Sequence, residues 1–367
     1  MDSINGDEPL LRKPKVSAYY QQNLASKSVA FVPRTIAIIY FLIGITFIIL
    51  GSISLVENKK AIEYVYTYDG ENVESEDCKI TVSNSAKVCN FTIEISEDMP
   101  SPLMVFYELD NFYSNHRKYV QSFSQSQLTG SELTDLSECI PLEKNETGGT
   151  ALSPCGLIAN TMFNDVISIT SGATMDETGI AWKTDFDKFS QPSDFAATEC
   201  PSGDCVGCLQ SAFDPSEAYD LCGTAEDRGG NIFAFWYPNE SSTQYLYETF
   251  PSIVSPLEGV KNEHFLVWMR VAGLDKFRKP YGRIEQALSA GDTVDFSIVN
   301  NFVVESFEGS KSIVLAHMGS LGGSNNYWVV SFFTMGGVIL ALTIVIALLE
   351  VFYPRPLGDI KVLFSPR

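Results

Sequence analysis

Two charge-free apolar runs, Thr35 to Val56 and Tyr327 to Leu349, bracket the rest of this 367-residue chain. At about 1.5 Å rise per residue, each makes a helix of roughly 33–35 Å, enough to cross a hydrocarbon core of about 30 Å. Such a layout places the polypeptide between the runs on one side of a membrane and both ends on the other. The organisation expected is an N-terminal tail over 1–34, a transmembrane helix over 35–56, a central domain over 57–326, a second transmembrane helix over 327–349 and a C-terminal tail over 350–367. A signal peptide is the competing reading of the first run. Against it, 34 residues precede the run, and its uncharged length exceeds an ordinary signal-peptide core.

Basic residues set the expected orientation. Arg12, Lys13, Lys15, Lys27 and Arg34 precede the first run, and only Lys59 and Lys60 closely follow it. Arg355, Lys361 and Arg367 follow the second run, against Lys311 as the nearest basic residue on its other flank. Both tails are therefore expected in the cytosol and the central domain in a lumen or outside the cell. Charge divides the same way: residues 57–326 hold 40 of the 45 acidic and 17 of the 25 basic residues, a net of −23. A domain that acidic excludes nucleic acid as a partner.

Cysteine usage agrees with this sidedness. All eight cysteines, Cys78, Cys89, Cys139, Cys155, Cys200, Cys205, Cys208 and Cys222, lie in the central domain. An even number confined to one compartment argues for an oxidising environment and a disulfide framework. The spacing pairs Cys78 with Cys89 and Cys139 with Cys155, each closing a short loop and stabilising by about 3 kcal/mol. Cys200, Cys205, Cys208 and Cys222 follow C-x4-C-x2-C-x13-C, a pattern that also opens iron–sulfur and zinc sites. In an oxidising compartment, with no histidine inside the block, structural disulfides are the better reading, and the three possible pairings stay open. Three sequons, at Asn90, Asn145 and Asn239, fall in the same domain, so N-linked glycans are expected there and no cofactor.

The domain reads as β-rich and large enough to bury a real core. In Val88 to Ile95, Phe91, Ile93 and Ile95 share one face while Asn90, Thr92 and Glu94 share the other, the alternation of a half-buried strand. Tyr64 to Tyr68, Leu103 to Leu109, Thr293 to Ile298, Phe302 to Phe307 and Ser312 to His317 read as further strands, and Asn111 to Ser122 and Pro280 to Leu288 as short helices. The fold class expected is a two-span α-helical membrane protein with a large β-rich domain of antiparallel sheet, an α+β arrangement held by disulfides.

Chemistry is thinly represented. His116, His264 and His317 are the only histidines and stand far apart, and no GxSxG, P-loop or HExxH pattern occurs. The Asp-Lys-Thr-Gly motif of P-type ATPases is also absent, so the chain is no ATP-driven pump by itself. Neither run contains Asp, Glu, Lys, Arg or His, the residues that mark ion and proton pathways through membranes. Gly44 and Gly51 in the first run, and Gly336-Gly337 beside Phe332-Phe333 in the second, are suited to close helix approach.

Several stretches carry a resemblance. They are Phe106-Tyr107 leading into Asn111-Phe-Tyr-Ser-Asn-His-Arg-Lys-Tyr-Val120, Ser126-Gln-Leu128, Pro154-Cys-Gly-Leu-Ile-Ala-Asn160, Met162-Phe-Asn-Asp165 and Gly179-Ile-Ala-Trp182. Further on come Asn262-Glu-His-Phe-Leu-Val-Trp-Met-Arg270, Phe277-Arg-Lys-Pro-Tyr-Gly-Arg-Ile284 and Pro354-Arg-Pro-Leu-Gly-Asp359. With the two spans, these resemble the accessory, or beta, subunits of the type-IV P-type ATPases that flip phospholipids, the ligand-effect-modulator and cell-division-control family. The cysteine block from 200 to 222 lies outside the resembling stretches.

The resemblance implies a non-catalytic subunit that forms a heterodimer with a type-IV P-type ATPase. It implies support for folding, endoplasmic-reticulum exit and the lipid-transport cycle of that ATPase, in a membrane of the secretory pathway: endoplasmic reticulum, Golgi, endosome or plasma membrane. With no nucleotide site and no charged path of its own, such a chain acts only by differential contact with conformations of its partner. Expected contact residues are Arg12, Lys13, Lys15, Gln21 and Gln22 at the cytosolic face of the ATPase or anionic lipid, and Phe332 and Phe333 at its helices. From topology alone the runner-up is a two-span ligand-gated cation channel or receptor with a disulfide-rich ectodomain, and a lumenal enzyme stands third.

Overall fold

A computed structural model of the chain describes residues 17–20, 32–70, 73, 78–82, 86–131, 135–145, 149–171, 173–219, 221–239, 241–320 and 322–354. They form two compact units, one holding the two long helices and the other spanning Val56–Asn325.

The long helices run over Pro33–Asn58 and Asn326–Phe352 and are apolar and long enough to cross a membrane. The chain is thus an integral membrane protein with two spans. They pair with each other in antiparallel sense. Gly44 faces Leu340, Gly336 faces Ile48, and Gly51 backs onto Phe332 and Phe333, so rising numbers in one helix meet falling numbers in the other. A Cβ on Gly44 would come within 2.8 Å of Leu340, and one on Gly336 within 2.9 Å of Ile48. The bare glycine surfaces let the backbones approach and leave the partner side chains room. At the end where the first helix begins, Arg34 Nε donates to Glu350 Oε1 at 2.6 Å.

The second unit holds twelve strands among the described residues: β1 (Ile62–Gly70), β2 (Lys87–Glu94), β3 (Leu103–Asp110), β4 (Ala151–Ser153), β5 (Val166–Ile169), β6 (Ala196–Glu199), β7 (Gly223–Glu226), β8 (Ile232–Trp236), β9 (Thr243–Tyr245), β10 (Phe277–Ile284), β11 (Thr293–Asn300) and β12 (Ser310–His317). One antiparallel sheet has the order β1-β12-β3-β10 and a second the order β2-β11-β5. The last strand in the chain, β12, sits between the first and third, so the sheet closes only when distant parts of the chain meet. The two sheets bury their apolar faces against each other. Tyr66 of β1 stacks on Phe91 of β2 at 3.9 Å between ring centroids, and Phe91 stacks on Phe296 of β11 at 5.4 Å. In β2 the residues Cys89, Phe91 and Ile93 are buried while Asn90, Thr92 and Glu94 are exposed, the alternation that its sequence dictates.

Three elements differ from what the sequence leads one to expect. Pro280 to Leu288, expected as a helix, begins inside strand β10 instead. A proline has no N–H to donate, and β10 accommodates it because it is an edge strand with a bulge between Pro280 and Gly282. Phe302 to Phe307, expected as a strand, is irregular and ends in a 3-10 turn at Glu305–Phe307. Its first backbone donors are diverted from any ladder: the N–H groups of Asn301 and Phe302 both donate to Asp165 Oδ1 at 2.6 Å. In the stretch from Asn111 to Ser122 only Arg117–Gln121 is α-helical.

The remaining strands form satellites. β6, β8 and β7 make a small antiparallel sheet that packs with the helix Cys205–Ala212 around Cys200, Leu209, Tyr219 and Ala234. All eight cysteines are in disulfides: Cys78–Cys89, Cys139–Cys155, Cys200–Cys208 and Cys205–Cys222. Within the block that spacing leaves open, the helix starting at Cys205 decides the pairing. Its Cys205 reaches Cys222, just before β7, while Cys208 reaches Cys200, just after β6, so the helix is stapled to both neighbouring strands.

Candidate functional site

The short helix Glu263–Met269 is where most of the distinctive stretches meet. Asn262 starts it: its side-chain oxygen accepts from Phe265 N at 3.2 Å, while its amide donates to Ile253 O and to Glu258 Oε2. Glu263, in the first turn, accepts from the backbone N–H groups of Gly179 and Ala181 at 2.9 and 3.0 Å and so fixes the Gly179–Trp182 segment. Trp268 is buried and donates its indole N–H to Ile158 O at 2.8 Å, fastening the Pro154–Asn160 segment. His264 lies against Tyr281 of β10, and its Nε2 is 2.9 Å from Glu177 Oε2.

The helix ends on a buried lysine. Lys279 reaches from β10 and its ammonium donates to the carbonyls of Val267, Trp268 and Arg270 at 2.7, 2.8 and 2.6 Å. These are orphan carbonyls of a helix C-terminus, which need donors, and a cation there also opposes the negative end of the helix dipole. Burial, reinforced by the nearby Arg270 charge, lowers the Lys279 pKa to about 7. Tyr119 borders the same region, where burial pushes its hydroxyl up to about 12.

Beyond the helix the surface opens into an aromatic and basic patch. Arg270 pairs with Asp185 and lies over the exposed Trp182 ring at 4.8 Å from its centroid. The loop that follows is tied to the Asn111–Val120 stretch: Ser114 Oγ donates to Ala272 O and accepts from Ala272 N, and Asn115 Nδ2 donates to Gly273 O at 2.9 Å. Trp182, Leu274 and Tyr113 are 66%, 70% and 57% exposed, and His116, Arg117 and Lys118 stand exposed beside Tyr113. Aromatic side chains with arginine, held rigidly from beneath, are the composition of interface hot spots rather than of a catalytic pocket. Below the patch, Glu108 of β3 binds both Lys276 and Arg278, at 3.0 and 2.6 Å, and its hydrogen bond holds the Lys276 ammonium above the usual range.

A second buried cluster ties the sheets together. Lys311 of β12 is fully buried and donates to Asp165 Oδ2 at 2.7 Å, to Asn300 Oδ1 and to Phe302 O, with Asp69 Oδ2 at 3.4 Å. Asp165 accepts in addition from the Tyr68 hydroxyl at 2.6 Å. Asn300 returns a bond to Cys78 O, which brings the Cys78–Cys89 disulfide into the network. Tyr68, Asp69, Asp165, Asn300 and Lys311 are all fully buried, so the cluster acts as a structural tie between the sheets.

The sequence-predicted residues are scattered rather than gathered into one site. Asn90 is exposed on β2, and Asn239 is exposed in a left-handed turn with φ of 56°. Asn145 is half-buried, with its Nδ2 donating to Gln244 Oε1 at 2.6 Å. Phe332 and Phe333 are half-buried against Gly51 of the first span, and Phe332 also lies 6.1 Å from the Phe47 ring. Arg12, Lys13, Lys15, Gln21 and Gln22 lie outside the described residues. The buried roles of Lys279, Lys311, Asp165 and Glu263 are not legible in the sequence alone; the signal it offers is a lone charge in a strand-like run, as in Ser310-Lys-Ser-Ile-Val-Leu-Ala316.

Residues 52–356 match the LEM3 (ligand-effect modulator 3) family, also described as the CDC50 family. The chain belongs to the LEM3/CDC50 family. Among curated proteins, it is 31% identical to ALA-interacting subunit 3 of Arabidopsis thaliana over 97% of this chain and 92% of the relative. Putative ALA-interacting subunit 2 of the same plant is 32% identical, over 98% and 95%. Cell cycle control protein 50A of Mus musculus is 29% identical, over 92% and 89%. The family match takes in the second span, the β-rich unit and the end of the first span.

Proposed function

We propose that this LEM3/CDC50 chain is the non-catalytic subunit of a phospholipid-flippase complex, forming a heterodimer with a type-IV P-type ATPase. It supports the folding, endoplasmic-reticulum exit and lipid-transport cycle of that ATPase in a secretory-pathway membrane. Both tails, 1–34 and 350–367, lie in the cytosol, the spans 35–56 and 327–349 cross, and the domain 57–326 is lumenal or extracellular with glycans on Asn90, Asn145 and Asn239. The observation that carries this reading is family membership across residues 52–356, together with relatives whose names describe interacting subunits.

The contacts follow from chemistry. The edges of Phe332 and Phe333 not covered by the first span meet helices of the ATPase, and the N-terminal tail, with Arg12, Lys13, Lys15, Gln21 and Gln22, meets its cytosolic face or anionic lipid. In the domain, the Trp182, Arg270 and Leu274 patch is the docking surface for the ATPase. It is supported by exposed apolar and basic groups on rigid supports in a domain otherwise strongly acidic. Trp182→Ser combined with Leu274→Ser removes two exposed side chains and leaves the buried network alone. The expected result is unchanged thermal unfolding with recovery of the ATPase in co-purification lowered about tenfold, the loss of about 1.4 kcal/mol. Full recovery would remove this patch from the interface.

A further inference from the structure

The parallel pair β4–β9 turns one face into the floor of a cavity of about 150 Å³. Register places Ala151 beside Thr243 and Ser153 beside Tyr245, and these four side chains make the floor. Alternation sends Gln244 to the opposite face, where it accepts the Asn145 amide. Asn145 is therefore turned away, while Asn239 and Ser242 stand at the rim of the cavity. The Asn239 turn is fixed by its own carbonyl, which accepts from Ser242 N at 2.9 Å and Thr243 N at 3.0 Å. In a domain with a net charge of −23, none of the described residues that line this cavity is charged.

Its chemistry is that of a neutral, hydroxylated ligand. Hydroxyls and amides come from the floor and rim, an aromatic ring from Tyr245, and apolar wall from Leu136 and Pro192. Such a mixture suits a pyranose, whose hydroxyls need uncharged partners and whose C–H face needs an apolar one. An acidic or phosphorylated ligand would find no cation among the described lining residues. The sequon asparagine at the rim supplies such a ligand on a tether of one bond, so the sugar is present at high effective concentration and a weak seat suffices to hold it.

We propose that the first N-acetylglucosamine of a glycan on Asn239 occupies this cavity, so that the glycan is a fixed part of the fold rather than a freely moving appendage. The proposal rests on the reading that Asn239 is glycosylated. The test uses the full-length protein in mild detergent, with glycopeptide mass spectrometry for occupancy and peptide N-glycosidase F, which cuts the bond between asparagine and the first sugar, as the probe. In the native protein the Asn239 glycan is expected to be released at least tenfold more slowly than the glycan on exposed Asn90, and both to be released at equal rates after denaturation. Ser131→Phe, at an exposed position of the wall, and separately Ala151→Leu, on the floor, fill the seat. Either variant that keeps native Asn90 kinetics and the unfolding midpoint is expected to bring Asn239 release up to the Asn90 rate. Equal native rates at Asn239 and Asn90 would overturn the seat while leaving the glycosylation reading intact. An unmodified Asn239 would overturn both.

Discussion

Replacing Asp165 with alanine is expected to cost about 3–5 kcal/mol. The carboxylate is fully buried and holds four groups at once: the Lys311 ammonium, the Tyr68 hydroxyl and the N–H groups of Asn301 and Phe302. Removing it leaves a buried cation with Asp69 at 3.4 Å as its remaining carboxylate, and frees two backbone donors that have no strand to join. Against a total stability of about 5–15 kcal/mol for an ordinary domain, the loss is a large fraction. The unfolding midpoint of the purified protein should fall by about 10 °C. Lys311→Met should also destabilise, and the double variant should be milder than the sum of the two, because each removes what the other leaves uncompensated. Additive losses would mean that the pair is not coupled.

The second large effect belongs to Lys279. Its side-chain nitrogen closes the C-terminal end of the helix that gathers the family's distinctive stretches, and Lys279→Met leaves the carbonyls of Val267, Trp268 and Arg270 without that donor. The expected cost is about 3 kcal/mol at pH 8. Its pH dependence has a definite sign. Folding lowers the lysine pKa from its ordinary 10.5 to about 7, so between those values the unfolded chain binds a proton that the folded chain does not. Stability contributed by this group therefore rises with pH through that window. The difference between the native protein and the Met variant should widen by about 1 kcal/mol per unit from pH 7.5 to 9, measured by denaturant unfolding. Below pH 7 the slope should vanish. The window stops short of Tyr119, whose pKa raised to about 12 removes stability as pH climbs above 10. A flat difference across pH 7.5 to 9 would show that the ammonium stays charged.

Much of this was legible in the sequence because the governing physics is local or compositional. A run of more than twenty uncharged apolar residues has few alternatives to a membrane helix, and the period-two pattern of Phe91, Ile93 and Ile95 can bury one face only as a strand. The family was legible from stretches such as Asn262–Arg270, but their work was not. Spacing cannot show that Glu263 grips the backbone of Gly179 and Ala181, 84 and 82 residues away in the chain. Pro280 read as a helix start because its strand role depends on lying at a sheet edge, a property of the assembled sheet. The irregular course after Asn301 likewise depends on Asp165, which captures backbone donors from a distance of 136 and 137 residues. Cys200 to Cys222 could not be paired from spacing, since the choice rests on which way a short helix faces its two neighbouring strands.

The same limit explains the spans. Gly44, Gly51 and Gly336 could be read as places of close approach, yet only the fold shows that they serve the pairing of the chain's own two helices. What is left for another protein is the outer surface of that pair, including Gly337, whose Cβ position faces open space.

Whether this chain works as the accessory subunit of a lipid-flipping ATPase is decided by purifying it from native membranes in mild detergent and identifying its companions by mass spectrometry. A type-IV P-type ATPase in about one-to-one amount is the expected result, with loss of phospholipid asymmetry when the chain is deleted. Recovery of the chain with no large ATPase attached and asymmetry intact after deletion would contradict it, as would robust ion current from the purified chain alone.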